Sequence, residues 1–325
     1  MKRLSFASIA IGFLLFVSCS AERAASTATS SAESTPTPTP AVTRDAELER
    51  AFAEIVKDSQ GRVGVYARVV ETGESAEFNA DERFAMQSVV KVPISMAVMQ
   101  KVVAGELERN AKINVGKDEL VPSRMHSPFR DRNPNGGEAT VEELIELAVS
   151  VSDGTASDVL QRVAGGAEGV QSYIDSLGVE AMKVRYTHKE FSNNNERQYE
   201  NWATPKAAVQ LLDSLWKQNG PSRPDFNKRE KELLLLAFMY KTPTGPNRLK
   251  GLLPAGTLVA HKTGTSGTVD GVTAATNDVG IITTPHNRHI IIAVFVGDSR
   301  GDEKTRDAVI ARIAKAAWDK WSVGG

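Results

Sequence analysis

The sequence predicts an α+β fold in which both chain ends build one antiparallel sheet and an all-helical segment is inserted between them. Three observations predict it. Val63, Val65, Ala67 and Val69 alternate with other residues near the start, as a strand requires. Strand-like runs return near the end, at Leu258 to Thr263, Ala274 to Thr284 and His289 to Val296. The middle third carries helix-period apolar patterns instead. Strands at both ends with helices between them fit an α/β lobe, about 45–87 and 241–325, coupled to a helical lobe, about 88–240. The seam between two such lobes is where a ligand site is expected.

Composition bounds the reading. The 325 residues are 41% hydrophobic, which is enough chain for one large core or two coupled domains. Lysine and arginine number 39 against 40 acidic residues, so no bulk field draws nucleic acid, and no nucleic-acid partner is expected. The one cysteine, Cys19, excludes an intrachain disulfide. No histidine pair has the spacing of a zinc site, and no metal or other cofactor is expected. Lys2 and Arg3 precede an apolar run, Leu4 to Val17, that is too short to span a bilayer. Phe16-Val17-Ser18-Cys19 resembles a bacterial lipoprotein signal, implying export, a signal peptide over 1–18 and lipidation of Cys19 as the only membrane attachment. Residues 19–44, rich in Ser, Thr and Pro, read as a disordered tether, and 45–325 as a single folded domain, expected to be a monomer in the cell envelope or periplasm.

Taken in order, Ala46 to Asp58 has Leu48, Ala51, Phe52 and Ile55 on one helical face. The alternating strand then turns at Glu71-Thr-Gly-Glu into a second strand at Ala76 to Phe78. A long apolar helix runs from Ile94 to Leu107, and further helices are expected at Val141 to Val151, Thr155 to Ala164, Gly169 to Leu177, Pro205 to Lys217 and Arg229 to Tyr240. Two long polar loops, Pro122 to Glu138 and Tyr186 to Trp202, are of the length that loops reach when they carry function. The final helix, Glu303 to Trp318, puts Val309, Ile310, Ile313, Ala314 and Ala317 on its apolar side.

Three motifs carry chemistry. In Ser88-Val-Val-Lys91 at a helix start, a hydroxyl, an amine one turn on and a free backbone N–H make a nucleophile kit. Ser214 to Lys217 fits the same spacing, so the pattern alone does not decide. Ser152-Asp153-Gly154 lies between two helices, and Ser157-Asp158 repeats its first two residues. His261-Lys262-Thr263-Gly264-Thr265-Ser266-Gly267 lies on an edge strand, with small residues where backbone must approach a ligand. Together and in this order, S-x-x-K, S-D-x and K-T-G resemble the penicillin-recognising serine enzymes. The domain from about residue 46 onward is similar to a class A β-lactamase. Thr244 to Pro254 and Thr273 to Gly280 are similar to the extended-spectrum PER/VEB-type branch.

The resemblance implies that Ser88 forms an acyl-enzyme with a β-lactam and that Lys91 helps take its proton. It implies an oxyanion hole from the N–H groups of Ser88 and Thr265, and a proton relay through Ser152. Lys262, Thr263 and Thr265, with Gly264 and Ser266 on the same strand, would bind the substrate, with Arg248 supporting its carboxylate. Asp153 would be structural near the site. Two departures matter. The family's deacylating glutamate is followed four residues later by asparagine, which Glu190 and Asn194 fit. Counting back without gaps from Gln198-Tyr-Glu-Asn-Trp202 reaches His188 instead, and the reading favours Glu190. Gly154 stands where the family has asparagine, removing a donor and acceptor beside the substrate. Asp158 and Asn201 match a pair that pins this loop. Rival readings are a penicillin-binding D,D-peptidase or esterase without a working deacylating base, which the His188 register favours, and a tethered binding module with no activity.

Overall fold

In the computed structural model, residues 43–219 and 234–322 are described, within a compact unit spanning Pro40–Gly325. The expected signal segment, Cys19 and most of the tether lie outside the described residues.

Helix α1 (Ala46–Ile55) starts at Asp45, whose carboxylate accepts the N–H groups of Glu47 and Leu48, and it buries Leu48, Phe52 and Ile55. The hairpin of β1 (Arg62–Val69) and β2 (Ser75–Phe78) follows, turning where the sequence placed it, with Gly73 in the left-handed conformation. Next come β3 (Phe84–Ala85), a 3₁₀ turn over Gln87–Val90 and α2 (Lys91–Val103). The middle of the chain forms β4 (Lys112–Val115), α3 (Pro128–Arg132), β5 (Gly137–Thr140), α4 (Val141–Val149), α5 (Gly154–Val163) and α6 (Gly166–Ser176). It continues through β6 (Met182–Lys183), α7 (His188–Ser192), β7 (Trp202–Ala203) and α8 (Pro205–Asn219). Residues 234–240 are helical (α9); the rest of the helix predicted from Arg229 lies outside the described residues. The chain closes with β8 (Val259–Thr265), β9 (Thr268–Val269), β10 (Val272–Thr283), β11 (His289–Ser299) and α10 (Glu303–Trp321).

The main sheet has the order β2-β1-β11-β10-β8, antiparallel throughout, so strands from both ends of the chain complete it. One face packs on α1 and α10, where Phe52, Val65, Ile292, Ile313 and Trp318 form a core. The other faces the inserted helices through Ala293, Phe295 and Ile281, in a core with Ile94, Leu144, Leu160 and Leu211. Covered on both faces, β11 reads as a continuous apolar run from Ile290 to Val296 rather than as an alternation.

Helix α2 lies at the centre of the inserted helices and is buried almost all round. Both predicted long loops contain local order. The first holds α3, and its strand β5 pairs with β4; the second holds α7 and a 3₁₀ turn over Asn195–Glu200. Most residues of these short strands are exposed or half-exposed, so they leave no apolar pattern to read.

Candidate active site

Ser88 enters the cleft from the 3₁₀ turn that precedes α2. With three residues per turn, positions three apart eclipse, so Lys91 stands directly over Ser88. Its Nζ donates to Ser88 Oγ at 2.7 Å. The turn is held from both sides. Gln87 takes the left-handed conformation, φ 49°, and its buried amide donates to Gln198 Oε1 at 2.6 Å. On β10, Asn277 Nδ2 donates to the carbonyls of Ala85 and Met86 at 2.8 and 3.2 Å.

Ser152 joins this pair from the other side. It too is left-handed, φ 62°, a strained backbone for a side chain with a Cβ and one that functional sites concentrate. Lys91 Nζ lies 3.2 Å from its carbonyl oxygen and 3.4 Å from its Oγ. Lys262 Nζ reaches the same Oγ at 3.0 Å and the Thr263 carbonyl at 3.0 Å. One hydroxyl therefore bridges two lysines, both among the largest fully buried side chains of the protein. Burial pulls the Lys91 amine down to about 8, against the upward pull of Asp158 and Asp153. Lys262 lies well below its ordinary value, through burial first and the neighbouring Lys91 charge second. A lysine with a depressed pKa beside a serine hydroxyl can accept its proton.

Edge strand β8 forms the opposite wall. A Cβ built on Gly264 would lie 2.4 Å from the Met86 carbonyl oxygen, closer than atoms pack. The missing side chain lets β8 press against the Ser88 turn, and Ser88 and Thr265 both line the resulting cleft of about 610 Å³. The Gly264→Ala variant is expected to push strand and turn apart. We expect kcat/KM to fall about 100-fold, the low end for losing an oxyanion donor, and stability to fall by about 1–3 kcal/mol from overpacking. Steady-state kinetics and a thermal melt would check both; unchanged kcat/KM would refute the close-approach argument. Thr263 and Ser266 also line the cleft, and Thr263 Oγ1 is 2.7 Å from Thr244 Oγ1. Arg248, only 3% exposed, borders it too. Its guanidinium donates to Asp307 Oδ1 at 2.8 Å and to the carbonyls of Asn277 and Gly264 at 3.0 and 3.4 Å.

The loop over 186–202 departs from the favoured reading. Glu190 is exposed and turned away from the cleft: its carboxylate accepts the Thr187 N–H and hydroxyl at 2.7 and 2.8 Å, forming a capping box for α7. Asn194 is exposed as well, and accepts the Glu196 N–H at 3.0 Å. A helix start fixes this outcome, since Thr187 as cap makes its third residue point back at the backbone. His188, the position reached by counting without gaps, lines the cleft, together with Phe191, Ser192, Asn195 and Gln198 of the same loop. Asp158 accepts its N–H at 2.7 Å and that of Lys189 at 2.9 Å, and Asn201 Oδ1 accepts the N–H groups of Arg185 and Tyr186. Asp158 thus ties the loop to α5, while Asn201 closes the two ends of the loop on each other.

Asp153 caps α5 and accepts from Ser127 Oγ, Phe129 N and Ala156 N at 2.6–2.9 Å, tying the 121–133 loop to Ser152. Gly154 lines the cleft, where a Cβ would meet the His126 carbonyl at 3.3 Å and Val121 at 3.4 Å. Sequence reasoning passed over Gln87, Gln198 and Thr244 as site residues. Thr244 stood inside the PER/VEB-like stretch, which was the available signal; the Gln87–Gln198 pair, far apart in sequence, left none.

Comparison with known proteins agrees with this geometry. Residues 47–321 match the β-lactamase enzyme family. The chain is 35% identical to β-lactamase VEB-1 of Pseudomonas aeruginosa over 265 residues, covering 82% of this chain and 87% of that one. It is also 35% identical to extended-spectrum β-lactamase PER-1 of the same organism over 271 residues, covering 83% and 86%. The crystal structure of a β-lactamase from Chitinophaga pinensis superposes with a TM-score of 0.79 at 39% identity, covering 84% of this chain and 99% of that one.

Proposed function

The chain belongs to class A of the β-lactamase enzyme family, near its VEB and PER branch, and from that premise we propose how its residues open a β-lactam. The enzyme hydrolyses the β-lactam amide through a serine acyl-enzyme, which confers β-lactam resistance. The 2.7 Å contact between Lys91 Nζ and Ser88 Oγ is the observation that carries the assignment of the nucleophile. Lys91 takes the hydroxyl proton as Oγ bonds to the carbonyl carbon, and the N–H groups of Ser88 and Thr265 receive the developing oxyanion. As the C–N bond breaks, Ser152, linked to both lysines, passes a proton to the leaving nitrogen. Thr263, Thr265 and Ser266 bind the substrate carboxylate, with Lys262 on the same strand and Arg248 at the border of the cleft. No cofactor enters these steps.

Acid quenching during turnover, followed by peptide mapping by mass, tests the reading. The adduct is expected on the peptide that contains Ser88; an adduct confined to another peptide would sink it. The N-terminal sequence further supports export and a lipid anchor at Cys19. Cys19→Ser should then abolish palmitate labelling of the expressed protein, and undiminished labelling would exclude that anchor.

A further inference from the structure

Opening the β-lactam leaves an ester on Ser88, and turnover needs a group that activates water against it. The carboxylate favoured from sequence, Glu190, is spent on the cap of α7. His188 is 3% exposed and lines the same cleft as Ser88, Lys91 and Ser152. Its Nδ1 is 3.1 Å from Asp158 Oδ1. An ionised carboxylate only accepts, so Nδ1 carries the proton and Nε2 keeps its lone pair. Among the described residues Nε2 has no hydrogen-bond partner, although it is buried. Phe191 packs against the ring at 5.0 Å between centroids and fixes its plane. A buried, oriented imidazole with an unpaired basic nitrogen in a catalytic cleft is the arrangement that general-base chemistry requires.

We propose that His188, held by Asp158 as its positioning residue, is the general base of deacylation, in place of a carboxylate; this rests on the Ser88 acyl-enzyme reading above. Nε2 takes a proton from water as the water oxygen bonds to the acyl carbonyl carbon. The tetrahedral intermediate then collapses with cleavage of the bond to Ser88 Oγ. The proton held by His188 goes to that oxygen, regenerating the hydroxyl and releasing the acid.

The charged groups around the ring favour the free base. Burial lowers the pKa of His188 below the ordinary histidine value, Lys91 on α2 and Lys262 on β8 lower it further, and Asp158 on α5 opposes them. On its own helix, Glu190 turns away and Lys189 donates to the Asp118 carbonyl. Deacylation should therefore be lost only as pH falls below the usual range of histidine titration. Replacing Asp158 removes the one upward pull, so Asp158→Asn should move that limb to lower pH, a shift that a purely structural role would not produce.

The test separates acylation from deacylation, by stopped-flow burst kinetics and intact mass, in the parent, His188→Ala, His188→Glu and Glu190→Gln. His188→Ala should keep the acylation burst, which also proves it folded, while steady turnover drops by about 10²- to 10⁴-fold and the Ser88 adduct accumulates. His188→Glu should recover part of that turnover. Glu190→Gln preserves the capping pattern and should turn over as the parent does. Parent-like turnover in His188→Ala, or an adduct trapped by Glu190→Gln instead, overturns the proposal and leaves the acyl-enzyme reading standing. Absence of any burst or Ser88 adduct in every variant overturns both.

Discussion

Replacing Ser88 with alanine is expected to lower kcat against a chromogenic cephalosporin by about 10⁵- to 10⁶-fold, the scale seen when a serine hydrolase loses its nucleophile. The change deletes one oxygen and nothing else. Lys91 keeps its contacts to Ser152, and the Gly264 approach that places Thr265 beside the turn does not involve the serine side chain. Substrate affinity should accordingly stay within an order of magnitude, since Thr263, Thr265 and Ser266 remain in place. The measurement is kcat together with equilibrium binding of the same cephalosporin. A variant retaining even a hundredth of parental kcat would show that another group attacks.

Lys91→Met is expected to have the next largest effect, a loss of about 10²- to 10⁴-fold in the acylation rate, as for removal of a positioned base. Methionine fills the buried volume without an amine. In the parent, the Lys91 amine titrates at about 8, depressed by burial, and only its neutral form can accept the Ser88 proton. Acylation should therefore rise with pH up to about 8 and level off above it, falling about tenfold for each unit below. The Lys91→Met profile should lose that limb. Lys262 would also regain basicity, because the Lys91 charge is one of the forces holding it down. Burst rates measured from pH 6 to 9.5 decide the matter; an unchanged limb in the variant would assign it to a different group.

Much of this was legible in the sequence, for identifiable reasons. Strands β1, β10 and β11 lie between cores, so their apolar residues announced them, and the K-T-G run fell on an edge strand as expected. The S-x-x-K spacing specified the Ser88–Lys91 contact because a helical or 3₁₀ turn brings positions three apart together. What spacing could not specify was the orientation of side chains in a loop. Glu190 and Asn194 satisfied a pattern of intervals, yet Thr187 nucleates a helix that turns Glu190 back onto the cap. Asp158, thirty residues upstream of His188, sets the loop through two backbone N–H groups and draws the imidazole inward. The outward turn of Glu190 is thus a local Thr-x-x-Glu signature, whereas the inward turn of His188 is made by a tertiary contact, which no local pattern encodes.

The buried Arg248 has a consequence for the far end of the chain. Its Asp307 partner sits on α10, while its other contacts are carbonyls of the sheet, including that of Gly264 in the K-T-G run. The terminal helix is thus wired to strand β8 by an ion pair with almost no access to water. Breaking it from one side would leave an uncompensated charge beneath the wall proposed to receive the substrate carboxylate. A truncation or fusion that loosens α10 would accordingly be felt as a change in substrate affinity before the enzyme unfolds, making the C-terminus a remote control of the cleft.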